Sequence, residues 1–263
     1  MSTGGPDAAA GPEGFVQSLA RGLAVIAAFD AENPRMTLSE VARRTDMSRA
    51  AARRFLLTLE HLGYVRSDGR DFALTPQVMR LGFAYLSSQT LPDVAQPHLQ
   101  ELSERLQEST SVAVLDGDEI MYVARRATRR IMNVAIRVGT RFPAYATSMG
   151  RVLLSGFTDA ELDAYFERVP LERITPATVV DPTQLRASIL AVRTDGYAVV
   201  DQELELGLRS LAVPIRDTEG AIVAAANVST SVIAAGGAPI EDLLGPLRAT
   251  AAAIESDLRA QGR

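Results

Sequence analysis

Between Thr37 and Thr75 the apolar positions recur first at helical and then at alternating spacing, which predicts two short helices, a tight turn between them and a small hairpin. Thr37 is the expected N-cap of the first helix, and Glu40 completes a Thr-x-x-Glu capping box, with Leu38, Val41 and Ala42 as the buried face. Thr45, Asp46 and Met47 leave room only for a turn before Ser48 caps a second helix running to Leu62. Ala51, Ala52, Phe55, Leu59 and Leu62 form its predicted core face. Gly63 ends it, and Tyr64-Val65-Arg66 then pairs with Phe72-Ala73-Leu74 across Ser67-Asp68-Gly69-Arg70. That order is the layout of a winged helix-turn-helix.

The flanking pattern divides the rest of the chain. Residues 1–14 are rich in Gly, Ala and Pro without an apolar period and are expected to form a disordered tail. Phe15 to Asp30 carries Leu19, Leu23, Ile26 and Phe29 at helical spacing, a helix that packs behind the helix-turn-helix and completes a domain over 15–75. Thr75-Pro76 opens a linker helix over 76–91. Its stripe of Val78, Leu81 and Tyr85 needs a cover, and a second copy of the same helix is one solution. Over 92–263 helices at Val94–Gln107, Met149–Leu154, Asp159–Arg168, Pro182–Asp195 and Ile240–Leu258 are interspersed with strands. The strands fall at Val112–Leu115, Ile120–Ala124, Met132–Val138, Tyr197–Val200, Leu211–Ile215 and Ile222–Ser229. This mixture predicts an α+β domain with an antiparallel sheet flanked by helices.

Charge changes the picture only when it is divided along the chain. The net charge is -5, yet residues 15–75 hold nine Arg against seven acidic residues. Phosphate attraction is screened beyond about 10 Å, so local sign outweighs the total. Every basic side chain is Arg. Arg49, Arg53 and Arg54, with Ala50 between them, fall opposite the core near the start of the second helix, the end a recognition helix presents to base edges. Arg66 and Arg70 on the wing are placed to meet phosphates. Cysteine is absent, which excludes disulfides and thiolate metal sites, and with no secretory segment or long apolar run the expectation is a cytoplasmic protein without membrane contact.

Candidate ligand chemistry lies in the second half. Pro143 to Leu154 passes from a turn into a helix capped by Thr147 or Ser148, and its free N–H groups are receptive to a carboxylate, so Thr147, Ser148, Met149 and Gly150 are candidate effector contacts. An ordinary capped helix start is the competing explanation. Asp201, Ser210, Asn227 and Ser229 interrupt apolar strands, where a polar group is costly unless a ligand, an internal network or solvent meets it. Ser148 lies outside any Gly-x-Ser-x-Gly elbow, and the two histidines, His61 and His98, assemble no triad or zinc site. No catalytic residue, metal or cofactor is expected. The rival from another class is a metabolite-binding hydrolase using Ser148.

With these residues in view the chain resembles the IclR family of transcriptional regulators from about Phe15 to Leu258. The resemblance rests on Gln17-Ser18-Leu19-Ala20-Arg21-Gly22-Leu23, Leu38-Ser39-Glu40-Val41-Ala42 and Leu59-Glu60-His61-Leu62-Gly63-Tyr64-Val65 in the first half. In the second half it rests on Gly196-Tyr197-Ala198, Leu211-Ala212-Val213-Pro214-Ile215 and Asn227-Val228-Ser229. The run from Tyr145 to Leu154 is similar to the PcaR/PcaU/PobR branch, whose members sense acids of aromatic catabolism such as protocatechuate, 4-hydroxybenzoate or β-ketoadipate. The resemblance implies a winged helix-turn-helix, a dimerising linker helix and a GAF-like effector domain. It implies a homodimer or tetramer on a palindromic operator, with RNA polymerase a partner if the protein activates. It assigns operator contacts to Thr37, Ser48, Arg49, Ala50, Arg53, Arg54, Arg66 and Arg70, and effector contacts to Thr147–Gly150, Asp201, Ser210, Asn227 and Ser229. An effector of glyoxylate or pyruvate type is the alternative within the family.

Overall fold

In the computed structural model, which describes residues 14–81, 90–128, 136–232 and 239–260, the chain forms two units that divide between Ser88 and Gln89. The first contains α1 (Gln17–Ala27), β1 (Met36–Thr37), α2 (Leu38–Arg44), α3 (Arg49–His61), β2 (Val65–Ser67) and β3 (Asp71–Leu74). The capping box forms: the Glu40 N–H donates to Thr37 Oγ1 at 3.4 Å, and the Thr37 N–H donates to Glu40 Oε2 at 2.8 Å. Asp46 turns the chain between α2 and α3 in a left-handed conformation, φ 50°. The Met47 N–H then donates to the Ala42 carbonyl at 2.9 Å and the Asp46 N–H to that of Arg43, closing a Schellman turn. Gly63 ends α3 in the same way, with the Tyr64 N–H on the Leu59 carbonyl at 2.8 Å.

The hairpin forms between the expected segments but one residue out of the expected pairing, with Val65 opposite Leu74, Arg66 opposite Ala73 and Ser67, expected in the turn, opposite Phe72. A short strand the alternation does not reveal, β1, pairs with β3 and makes the wing sheet three-stranded, in the order β1-β3-β2. The core differs from the expected face of α3: Ala52, Leu56 and Leu59 are buried, whereas Leu62 is 51% exposed and Ala51 and Phe55 are half-buried. Leu62 is the C-cap, where the chain leaves the helix, so it no longer follows the stripe. Leu19 and Leu23 of α1 also stay exposed, while Val25, Ala28 and Phe29 enter the core. Thr75 caps a short 3-10 turn over Pro76–Val78, accepting the Gln77 N–H at 3.2 Å, and residues 79–81 are helical. The rest of the expected linker helix lies outside the described residues up to Gln89.

The second unit runs α4 (Thr90–Leu106), β4 (Ser109–Asp116), β5 (Glu119–Arg126), β6 (Arg141–Pro143), a 3-10 turn (Ala144–Ala146) and α5 (Ser148–Leu154). It continues with α6 (Asp159–Arg168), α7 (Pro182–Asp195), β7 (Ala198–Asp201), β8 (Leu208–Arg216), β9 (Ile222–Ser231) and α8 (Ile240–Ala260). Leu91 and Pro92 sit in the first turn of α4. Of the expected strand Met132–Val138, residues 132–135 lie outside the described residues, and 136–138 are not strand.

The six strands form one antiparallel sheet in the order β6-β5-β4-β9-β8-β7. On one face α4 and α8 bury Leu99, Val112, Leu211, Val213, Val228 and Ile254. On the other, α5, α6 and α7 bury Ile120, Tyr122, Met149, Leu154, Ile189 and Ala212.

Replacing Leu56 by Ala is expected to cost about 2–5 kcal/mol in urea unfolding followed by circular dichroism, because it empties a fully buried site. The same change at Leu62 should cost less than about 1 kcal/mol. Equal losses at the two positions would contradict the core described above.

Candidate nucleic-acid interface and ligand site

On α3 the core residues Ala52, Leu56 and Leu59 leave Arg49, Ala50, Arg53 and Arg54 as one exposed stripe along the N-terminal half. Ser48 fixes where that helix begins by accepting the Ala51 N–H at 3.2 Å. Arg49, Arg53, Arg54 and Arg66 make no ion pair among the described residues, so their charges remain available to phosphates and base edges. The wing is ordered by Asp68, whose carboxylate accepts the N–H groups of Asp71 and Arg70 at 2.8 and 3.1 Å and pairs with Arg35. Those backbone donors hold the Asp68 carboxyl below its usual range. Arg66 and Arg70 project from this turn into solvent. Thr37 is committed to the cap of α2.

In the second unit the start of α5 is fixed by contacts that leave no freedom. Thr147 Oγ1 accepts the Gly150 N–H at 3.0 Å and donates to the Ala144 carbonyl at 3.3 Å. A Cβ on Gly150 would lie 2.0 Å from the Ala144 oxygen, so only glycine fits against that backbone. Arg151 is buried, donates through Nε to the Tyr145 carbonyl at 3.1 Å and pairs through Nη2 with buried Glu203 at 2.7 Å. Glu203 Oε2 also accepts the Val179 N–H at 2.9 Å, tying the segment before α7 to α5. Met149 is core. Ser148 is 1% exposed, and its Oγ has no hydrogen-bond partner.

The strands beneath α5 explain where the other expected contacts fall. Residues opposite one another in an antiparallel sheet share a face. Asn227 lies opposite both Ala212 and Ser111, and Ser111 lies opposite Arg125, so these four form one row on the α5 face. The adjacent row on that face is Val200, Ser210, Ser229 and Ser109. Asn227 Nδ2 donates to Ser229 Oγ at 3.0 Å, while its buried Oδ1 has no partner. The fold therefore brings Ser148, Ser210, Asn227 and Ser229 to one side. Asp201, one residue beyond Val200, points to the α4–α8 face, opposite Arg209, and takes that guanidinium on Oδ2 at 2.7 Å.

Arg125 and Ser111 join the site without having been anticipated. Val112 is opposite Ala124 but Ala113 is opposite Tyr122, so Val123 is an extra residue, a β-bulge. Simple alternation from Ile120 and Tyr122 would send Arg125 toward α4; the bulge returns it to the α5 face. Its Nη1 donates to Ser111 Oγ at 3.1 Å, its guanidinium carbon lies 6.0 Å from the Tyr122 ring centre, and its Nε is buried without a partner. Burial lowers the Arg125 pKa and pushes that of Tyr122 up to about 12. No carboxylate pairs with Arg125 among the described residues.

Comparison with known proteins follows this two-part geometry. Residues 18–69 match the IclR helix-turn-helix domain, and residues 83–256 match the bacterial transcriptional regulator IclR C-terminal family. The chain is 50% identical over 231 residues to the Pca regulon regulatory protein of Pseudomonas putida, covering 88% of this chain and 77% of that one. It is 39% identical over 220 residues to the p-hydroxybenzoate hydroxylase transcriptional activator of Acinetobacter baylyi, covering 82% and 81%. Among solved structures, an IclR homolog from Microbacterium hydrocarbonoxydans complexed with 4-hydroxybenzoate superposes with a TM-score of 0.83 at 28% identity, covering 92% and 99%.

Breaking the buried pair by Arg151→Met is expected to cost about 3–5 kcal/mol in thermal or urea unfolding, because Glu203 is left as an uncompensated buried charge. The double variant Arg151→Met/Glu203→Leu should recover most of that loss. A single variant as stable as the parent would show that the pair does not hold α5.

Proposed function

The chain belongs to the IclR family of bacterial transcriptional regulators, and from that premise we propose that it binds operator DNA through α3 and the wing under the control of a small aromatic acid. The observation that carries the ligand half is the pair of buried, partnerless atoms Ser148 Oγ and Asn227 Oδ1, brought to one face of the sheet. Buried polar groups in folded proteins are nearly always satisfied, which supports a polar molecule as the partner of these two atoms. The acid class follows from relatives named for the Pca regulon and for p-hydroxybenzoate hydroxylase, and from the homolog complexed with 4-hydroxybenzoate. Ser148, Ser210, Asn227 and Ser229 contribute polar contacts. Thr147 and Gly150 set the position of α5, and Asp201 lies on the opposite face of the sheet with Arg209.

On DNA, Arg49, Arg53 and Arg54 read base edges with Ala50 in the same stripe, Ser48 sets the helix start on the backbone, and Arg66 and Arg70 meet flanking phosphates. The protein acts as a dimer on a palindromic site. Leu19, Leu23, Leu62 and Leu81 rim an apolar groove of about 460 Å³ in the first unit, and a second copy of this unit is the occupant that would bury these exposed leucines in a two-fold dimer.

Fluorescence anisotropy on a labelled fragment from upstream of its own gene is expected to show salt-dependent, sequence-preferring binding that shifts with 4-hydroxybenzoate or protocatechuate. Arg53→Ala should weaken it by about 1–3 kcal/mol and relax the sequence preference. Absence of DNA binding would sink the regulator; binding indifferent to aromatic acids but responsive to glyoxylate or pyruvate would move the effector to the aliphatic class. In sedimentation velocity, Leu23→Asp should shift the protein toward monomer; an unchanged dimer would place the interface elsewhere.

A further inference from the structure

Among the charged groups of the second unit, Arg125 is half-buried, with its Nε enclosed, and has no carboxylate partner in the described residues. Arg151 has Glu203, Arg209 has Asp201, Arg141 has Asp116 and Glu119, and Arg168 has Asp118. Arg125 has one neutral hydrogen bond to Ser111 and the face of Tyr122, with its Nε left over. A guanidinium taken out of water is costly unless an anion compensates it.

Resting on the reading that a small acid binds on the α5 face, we propose that Arg125 binds the carboxylate of that effector, and that the bulge at Val123 is what aims it there. With Nη1 held by Ser111, the edge carrying Nε faces an incoming ligand and offers the forked geometry that matches a carboxylate. Asn227 lies two strands from Arg125 in the same row, about 10 Å away by strand spacing. Its Oδ1 is an acceptor, so it suits a hydroxyl and repels a carboxylate. The row thus has a polarity: anion at β5, hydrogen-bond donor of the ligand at β9. A hydroxybenzoate carries those two groups at opposite ends of a flat ring, and the Tyr122 ring lies beside the carboxylate end.

The test is isothermal titration of the full-length protein, wild type, R125Q and R125K, with 4-hydroxybenzoate and with neutral 4-hydroxybenzamide. Wild type should prefer the acid. R125Q should lose at least about tenfold in affinity for the acid while its affinity for the amide changes by less than about threefold, since only the acid makes the charged contact. R125K, which keeps the charge but not the fork, should retain a reduced preference for the acid. Equal acid affinity in wild type and R125Q would overturn the role of Arg125 and leave the effector reading standing. Wild-type protein that binds neither compound would overturn both. If R125Q melts early, R125K decides: acid binding equal to wild type removes the forked contact.

Discussion

Helices cover both faces of the six-stranded sheet, so the middle of its central strands has no solvent side on which to place a polar residue without cost. Consecutive residues are accordingly apolar and buried in Leu211-Ala212-Val213 and Ala224-Ala225-Ala226. The polar exceptions separate by face. Beneath α4 and α8, Thr110 donates to the Leu99 carbonyl at 2.8 Å, Thr230 to Glu108 at 2.7 Å, and Asp201 takes Arg209. Beneath α5, Ser148 Oγ, Asn227 Oδ1 and Arg125 Nε are left open. Apart from Asp201 Oδ1, the α4–α8 face closes these hydrogen bonds internally, whereas the α5 face leaves all three of its atoms without a partner among the described residues.

Open polar atoms help a ligand only if the frame holds them still. Here the frame is α5, pressed so closely onto the Ala144 carbonyl that position 150 admits no side chain, capped by Thr147 and tied by Arg151 to Tyr145, Glu203 and, through Glu203, Val179. Tyr145 adds a further tie, its hydroxyl donating to the Glu172 carbonyl at 2.9 Å and accepting the Glu172 N–H at 3.0 Å. In the segment from Thr147 to Gly150, Thr147 and Gly150 thus set the position of α5, and Ser148 Oγ is left without a partner.

Local signals in the sequence carried most of the fold. A capping box and a cap residue placed α2 and α3 within a residue or two, because a side chain bonding its own helix start depends on nothing distant, and apolar spacing placed α6 and α7. The wing followed from Asp-Gly between alternating residues. What stayed hidden depended on partners far along the chain. Burial of Leu56 in place of Leu62 depends on how α1 and the wing meet α3, and β1 and β6 are too short for a period to show. The face of Asp201 is fixed by its pairing with β8, and a single position past Val200 reverses it. Arg125 was missed because alternation assumes an unbroken ladder, and the bulge at Val123 exists only in the pairing of β5 with β4.

The same bulge bears on how an effector bound as proposed would be felt by the DNA-binding half. A ligand shifts operator affinity only by its difference in affinity for the two states of the protein, and a tenfold shift needs about 1.4 kcal/mol. A hydrogen bond to a charged group is worth about 1.5–3 kcal/mol, so one contact made in one state and lost in the other is sufficient. β5 presents Arg125 to the α5 face and Val123 and Ala124 to α4, and Gln96 of α4 donates to the Arg125 carbonyl at 3.5 Å. α4 begins at Thr90, where the chain enters from the linker. The strand that carries Arg125 is thus the strand on which the first helix after the linker rests, so an effector held as proposed would act on the element that follows the linker.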